Sequence, residues 1–303
     1  MTPASIPNSD DLPSIVTRFA PSPTGLLHIG HAYSALFAED AARKSGRKAD
    51  GRFLLRIEDI DAGRCRPEFE AALYEDLQWL GLRWETPVRR QSDHMADYAA
   101  ALETLRRDGL LYPCFCTRKD LQREATASAS APHGPDGPVY PGICRTLTAR
   151  ERETRIDGGA GYALRLDMAK AAQTLKRSLS FFDQACGRVV VDPYGCGDVV
   201  LARKDIRTSY HLAVVVDDAL QGVTLVTRGA DLLHATHVHR VLQTLLKLPE
   251  PAYHHHALLR DSNGKRFAKR EAGVTLAGLR KDGATRADIA KMIGITEARS
   301  SVS

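Results

Sequence analysis

Along the first hundred residues the apolar positions switch between a two-residue and a helical period, and the switching predicts the architecture. Residues 14–20 read as a short strand, which Pro21, Pro23 and Gly25 break, and an apolar repeat of helical spacing follows over residues 29–42. Residues 51–57 read as a second strand. A helix is expected over residues 67–80, with Pro67 in its first turn and Gly81 as its stop, and another over about 93–107, stopped by Gly109. Strands and helices alternating at these lengths predict an α/β fold with a parallel sheet covered on both faces.

The pattern then changes. Over residues 111–190 cysteines appear, and residues 124–139 are rich in Ala, Ser, Pro and Gly without either period, as expected of a flexible loop inside an inserted module. Strands over 199–202, 212–216 and 223–227 and a helix over about 235–248 restore the α/β pattern and complete the sheet. The expected organisation is therefore a loose arm (1–13), a first half-domain (14–110), an insertion (111–190), a second half-domain (191–260), and a loop with a short helical tail (261–303).

Composition narrows the class. An apolar content of 43% over 303 residues supports a substantial core. The longest apolar runs fall far short of a membrane span, and the N-terminus has neither a basic start nor an apolar stretch, so a cytoplasmic protein with no membrane partner is expected. A net charge of +5 is compatible with an RNA or nucleotide partner without demanding one. Six cysteines are too few and too unevenly spaced for a disulfide framework, which leaves metal binding or free thiols.

The most informative string is Arg18-Phe-Ala-Pro-Ser-Pro-Thr-Gly-Leu-Leu-His28-Ile-Gly30-His31. It joins a strand to a helix through a tight loop. Helix N-termini carry unpaired amides and the positive end of the dipole, so an anion is favoured there, and Gly30 is expected to leave room for a ligand against the backbone. His28 and His31, three apart, face the same spot.

The tetrad His-Ile-Gly-His resembles the first signature of class I aminoacyl-tRNA synthetases, and the residues before it resemble the glutamate-specific form. The resemblance implies a Rossmann-type parallel-sheet catalytic domain with an inserted zinc-containing α+β subdomain. It implies that Pro21, His28, Gly30 and His31 meet ATP, that His28 and His31 are catalytic, and that Mg²⁺ rides on the leaving pyrophosphate. Gly264-Lys265-Arg266-Phe267-Ala268-Lys269-Arg270 resembles the second signature, with Lys269 as the catalytic lysine on the phosphates. Ala268 replaces the usual serine, a loss of about 0.5–1.5 kcal/mol if that hydroxyl bonds a phosphate.

For glutamate, the same resemblance implies Arg18, Phe19, Ala20, Pro21 and Ser22 in the first loop, with Glu58, Tyr210 and Arg228. The chemistry is coherent: Glu58 can accept the ammonium, Arg18 or Arg228 can bind the side-chain carboxylate bidentately, and Tyr210 adds a hydroxyl donor. A pocket of donors rejects glutamine, whose amide nitrogen would find no acceptor. The adjacent Asp217 and Asp218 either support this pocket or end a strand.

Cys114-Phe-Cys116 and Tyr140-Pro-Gly-Ile-Cys144 carry donors suited to zinc, with reduced thiols as the alternative. Cys-x-Cys…Tyr-x₃-Cys resembles the zinc site of one branch of glutamyl-tRNA synthetase-like proteins, which implies one structural Zn²⁺ on Cys114, Cys116, Tyr140 and Cys144. Two histidine groups, His254 to His256 and His234, His237 and His239, read as structural or solvated, because extended neighbours alternate sides and no carboxylate cluster accompanies the second group.

The resemblance spans residues 15–272, matches a catalytic half, and implies no anticodon-binding domain. Members of the implied branch activate L-glutamate with ATP without tRNA and attach it to the queuosine base at the wobble position of tRNA(Asp); a monomer is expected. The alternatives are a shortened synthetase charging a tRNA 3′ end and a non-catalytic RNA- or zinc-binding paralogue.

Overall fold

A computed structural model describes residues 14–44, 51–117, 119–120, 133–134, 137–259 and 275–294. The expected arm, most of the 124–139 loop and the whole Gly264 to Arg270 segment with Lys269 lie outside the described residues.

The first half follows the sequence pattern closely. Strand β1 (Val16–Phe19) leads to helix α1 (Ile29–Arg43), β2 (Arg52–Ile57) to α2 (Pro67–Trp79), and the short β3 (Arg89–Arg90) to α3 (Met95–Arg107). The stops are Gly81 and Gly109, at φ +71° and +67°, where a side chain would be strained. β1, β2 and β3 pair in parallel.

The insertion begins with β4 (Leu111–Cys114), followed by a two-stranded ribbon of β5 (His133–Gly134) and β6 (Gly137–Pro138), helix α4 (Ala149–Asp157), β7 (Ala163–Leu166) and α5 (Met168–Leu175). A hairpin of β8 (Ser180–Asp183) and β9 (Gly187–Val190) comes next, and then β10 (Val200–Ala202). The chain returns through α6 (Tyr210–Leu220), β11 (Leu225–Gly229), α7 (Leu233–Leu245) and β12 (Ala252–His256), and ends in two short helices, α8 (Leu276–Lys281) and α9 (Arg286–Met292).

Strand pairing crosses the expected division at residue 190 in both directions. β8 pairs in parallel with β12, so the hairpin belongs to the sheet β11-β12-β8-β9, whereas β10 joins β7 and β4 in an antiparallel sheet. Short strands carry too little period to reveal their sheet, and long-range pairing decides it. β1 lies beside β11, tied by the Thr224 amide donating to the Val16 carbonyl at 3.0 Å, which gives a lateral order β3-β2-β1-β11-β12-β8-β9.

The expected strand over 212–216 is instead part of α6. Ser209 caps that helix, its side chain accepting from the Leu212 amide, and Leu212 to Asp218 are all buried between α3 and α7. A run apolar on every side cannot be assigned by period, and here it marks a helix buried all round.

Candidate active site

In a parallel sheet wound in both directions, the crevice opens where the strand order reverses, outside the carboxyl ends of the strands. Here that point lies between β1 and β11. A cleft of about 720 Å³ sits there, and the loops leaving β1, β2, β11 and β12 form its walls. It brings together Arg18, Phe19, Ala20, Pro21, Ser22, His28, Gly30 and His31 with Glu58, Tyr210 and Arg228, which is every expected ATP or glutamate residue among those described.

His28 is the N-cap of α1. Its Nδ1 accepts from the Gly30 amide at 3.0 Å, its own amide donates to His31 Nδ1 at 3.1 Å, and the two rings lie 3.8 Å apart. An imidazole nitrogen that accepts carries no proton, so in the neutral rings the proton is on Nε2 and each ring offers a donor edge. Gly30 lines the cleft, and its missing side chain also admits the folded-back imidazole, because a Cβ there would lie 2.9 Å from His28 Cε1.

Arg18, Arg64 and Arg228 line the cleft, Arg56 lies buried behind Glu58, and their surroundings differ. Arg18 donates through Nε to Asp218 Oδ1 at 2.9 Å and through Nη1 to the Thr227 carbonyl at 3.2 Å. Arg56 is fully buried, bonded to Asp218 at 2.7 Å and to Glu58 at 3.0 Å. Asp218, from α6, thus clamps β1 to β2. Burial alone would raise its carboxyl, but Arg18 and Arg56 outweigh that and hold it below the usual carboxylate range. Burial wins at Glu58, whose carboxyl is raised against the pull of Arg56 and Arg18.

Arg228 has no carboxylate on it among the described residues. Its guanidinium donates to His255 Nε2 at 3.1 Å, Tyr210 Oη at 3.1 Å and Thr236 Oγ1 at 2.7 Å, and lies 3.2 Å from His239 Nδ1. Burial, then the nearby guanidinium, keeps both imidazoles neutral, His239 well below its ordinary value and His255 at about 4. Behind His255 stands Asp183 of β8, which accepts from its amide at 3.0 Å and from its Nδ1 at 2.6 Å. A buried cation ringed by neutral acceptors keeps its charge available to a ligand.

Both histidine groups were expected to be structural or solvated, but His239 and His255 hold Arg228. Sequence reasoning missed them, along with Thr236, Asp183 and His256, which lines the cleft with its Nε2 3.2 Å from Ser34 Oγ. The alternation of β12 was a usable signal: it turns His255 away from His254 and His256.

In the insertion, the Sγ atoms of Cys114, Cys116 and Cys144 lie within 4.8 Å of one another, with Cys116 and Cys144 3.5 Å apart. Tyr140 Oη is 3.4 Å from Cys114 Sγ and 3.6 Å from Cys116 Sγ. Zinc–sulfur bonds of about 2.3 Å in a tetrahedron require sulfurs somewhat under 4 Å apart, so three thiolates and one oxygen here suit a closed Zn²⁺ site. Cys65, Cys186 and Cys196 form no disulfide among the described residues and lie outside this group.

The model for the catalytic domain of class I tRNA synthetases (E and Q) matches residues 14–296. The chain belongs to that family and is a ligase of the class I aminoacyl-tRNA synthetase type. Among curated proteins it is 50% identical to the glutamyl-Q tRNA(Asp) synthetase of Rhodobacter capsulatus, over 93% of this chain and 100% of that protein. The corresponding protein of Symbiobacterium thermophilum is 44% identical over 88% of this chain and 81% of its own length. A crystal structure of a glutamate tRNA ligase from Elizabethkingia meningosepticum, in complex with its amino acid, superposes with a TM-score of 0.70 at 28% identity. That match covers 86% of this chain and 53% of the ligase, so the chain spans about half the length of that enzyme. No helix among the described residues is long and apolar enough to cross a membrane.

Proposed function

We propose that this chain activates L-glutamate with ATP in the absence of tRNA, forming glutamyl adenylate, and then transfers the glutamyl group to the queuosine base at the wobble position of tRNA(Asp). The observation that carries the glutamate reading is Arg228. Among the described residues it is a buried guanidinium without a carboxylate partner, while Arg18 and Arg56 are already neutralised by Asp218 and Glu58. Arg228, with the Tyr210 hydroxyl, takes the side-chain carboxylate of glutamate, and Glu58 takes the ammonium. Every group facing the side chain is then a donor, so glutamine leaves a donor unmatched.

His28 and His31 present Nε2 donors beside the N-terminus of α1, where the charge of the ATP phosphates accumulates as the α-carboxylate attacks the α-phosphorus. Lys269 supplies a further positive charge on the phosphates, and Mg²⁺ accompanies ATP as substrate. One Zn²⁺ on Cys114, Cys116, Tyr140 and Cys144 is structural, pinning the insertion. The enzyme works as a cytoplasmic monomer. The queuosine acceptor is supported by the names of relatives that match most of their own length.

The test is glutamate-dependent ATP–pyrophosphate exchange on the purified protein without RNA, with glutamine and aspartate as controls, followed by transfer of labelled glutamate to tRNA(Asp) with and without queuosine. Exchange with glutamate alone and transfer only to the queuosine-bearing RNA are expected. Exchange that required tRNA, with transfer to the queuosine-free RNA, would assign charging of a 3′ end instead.

A further inference from the structure

Beside Arg228, the rings of Tyr210, His211 and His239 pack as a triangle, with centroids 5.6 Å apart from Tyr210 to His211, 5.4 Å from His211 to His239 and 5.6 Å from Tyr210 to His239. Tyr210 and His211 are the first two residues of α6, after its Ser209 cap, and His239 stands on α7. Tyr210 lines the cleft and His211 does not. His211 Nδ1 lies 3.3 Å from His239 Nε2, and His239 Nδ1 in turn lies 3.2 Å from Arg228 Nη1. The start of α6 therefore reaches the arginine twice, directly through Tyr210 Oη and at one remove through His211.

The arginine fixes where the protons lie along this chain of groups. A guanidinium only donates, so His239 Nδ1 accepts from it and carries no proton. Burial first, and then Arg228, keep the His239 ring neutral, well below its ordinary value, so its single proton is on Nε2. His239 is 2% exposed, and the acceptor in reach of that N–H is His211 Nδ1. Without an acceptor there, a buried N–H would stand unpaired, or the ring would carry its proton on Nδ1 and turn an N–H toward the guanidinium.

We propose that His211 is a positioning residue for the glutamate side chain: by accepting from His239 Nε2 it holds His239 in the tautomer that accepts from Arg228, and so fixes the guanidinium that takes the substrate carboxylate. The proposal rests on the reading of Arg228 given above. His255, the other imidazole on Arg228, is set separately by Asp183 of β8. The arginine is thus held from two independent elements, a strand of the sheet through His255 and the first turn of α6 through His239. His211 acts through another side chain, so its effect falls on the binding of glutamate and leaves ATP alone.

His211→Leu removes the acceptor, whereas His211→Asn keeps one, because the amide oxygen can take the place of Nδ1. Both are assayed by glutamate-dependent ATP–pyrophosphate exchange. In His211→Leu the KM for glutamate is expected to rise about tenfold, the effect of leaving one buried N–H unmatched, while the KM for ATP and kcat stay within about twofold of wild type. In His211→Asn all three are expected within about twofold of wild type. An unchanged KM for glutamate in His211→Leu overturns the proposal, as do equal rises in both KM values or an Asn variant as impaired as the Leu variant. Nitrogen NMR of histidine-labelled wild-type protein reads the tautomer with no substitution made: His239 is expected with its proton on Nε2, and a proton on Nδ1 overturns the proposal. A wild-type protein with no glutamate-dependent exchange under any condition refutes the activation reading itself, and the tautomer of His239 is read independently of that result.

Discussion

The Arg228 guanidinium and the Asp183 carboxylate are coupled without touching: His255 stands between them, donating from Nδ1 to Asp183 at 2.6 Å and accepting from Arg228 at Nε2 at 3.1 Å. Asp183 fixes the tautomer, and the tautomer fixes which nitrogen can accept from the arginine. A carboxylate directly on Arg228 would position it equally well but would compete with a substrate carboxylate. The neutral imidazole positions it without that competition.

Asp183→Asn can donate to His255 Nδ1, which favours the other tautomer and turns an N–H toward Arg228. Exchange assays on this variant are expected to show the KM for glutamate raised about tenfold or more, in line with the roughly 1.5–3 kcal/mol of a hydrogen bond to a charged group, with a smaller change in kcat. An unaltered KM would remove Asp183 from any role in positioning Arg228.

Acid stability follows from the same imidazole. Burial first, and Arg228 second, hold His255 at about 4 in the folded protein, against an ordinary value near 6.5. The folded state therefore binds fewer protons than the unfolded state between those values. This part of the stability is complete above about pH 6.5 and is lost as the pH falls through about 4. Denaturant midpoints measured from pH 7.5 to 4.5 should decline, and His255→Gln should decline less steeply. Parallel curves for the two proteins would contradict the assignment.

Asp218→Asn leaves Arg18 and Arg56 buried with one neutral partner in place of a shared carboxylate. Removing one member of a buried ion pair typically costs about 3–5 kcal/mol, so a large drop in unfolding free energy is expected by denaturant titration, along with loss of exchange activity. A variant of wild-type stability would mean that the clamp between β1 and β2 is unnecessary.

Metal analysis of the purified protein should find close to one Zn²⁺ per chain, and Cys144→Ser should lose most of it. Around the cysteines the described residues form a small apolar cluster of Tyr112, Cys114 and Cys144, so metal loss should lower the melting temperature of this part of the insertion or expose it to proteolysis before the rest of the molecule. Wild-type protein free of zinc after growth in zinc-replete medium would leave reduced thiols as the reading.

Asp76 on α2 is fully buried, and Arg280 at 3.3 Å offsets only part of the desolvation that lifts its carboxyl to about 6. Here the folded state binds more protons than the unfolded state, so this group destabilises the protein increasingly as the pH rises from about 4 to above 6. Asp76→Asn is expected to raise stability by about 1–2 kcal/mol at pH 7.5 and to have little effect at pH 4. Destabilisation at pH 7.5 would show that the pair with Arg280 outweighs the burial.

The first half of the fold and the loop from Arg18 to His31 were legible in the sequence, because the helix stops, the proline breaks and the His28 cap act over a few residues. Leu212 to Val216 read as a strand since β-branched residues in a short apolar run carry no period. Only packing between α3 and α7 makes them a helix. The partners of Arg18 and Arg228 were illegible for another reason. Asp218 is 200 positions from Arg18, and Asp183 reaches Arg228 through a strand pairing that no local pattern announces.

The Arg18 contact with Asp218 also bears on synthesis. A nascent chain displays the complete first signature as soon as His31 is made, yet the acid that neutralises Arg18 and Arg56 arrives only with α6, some two hundred residues later. Until then Arg56 has Glu58 to offset part of its charge, but β1 and β2 cannot close over a bare Arg18. A product terminated before Asp218 is therefore left open for the cell's proteases and chaperones to find, instead of persisting as a half-built pocket.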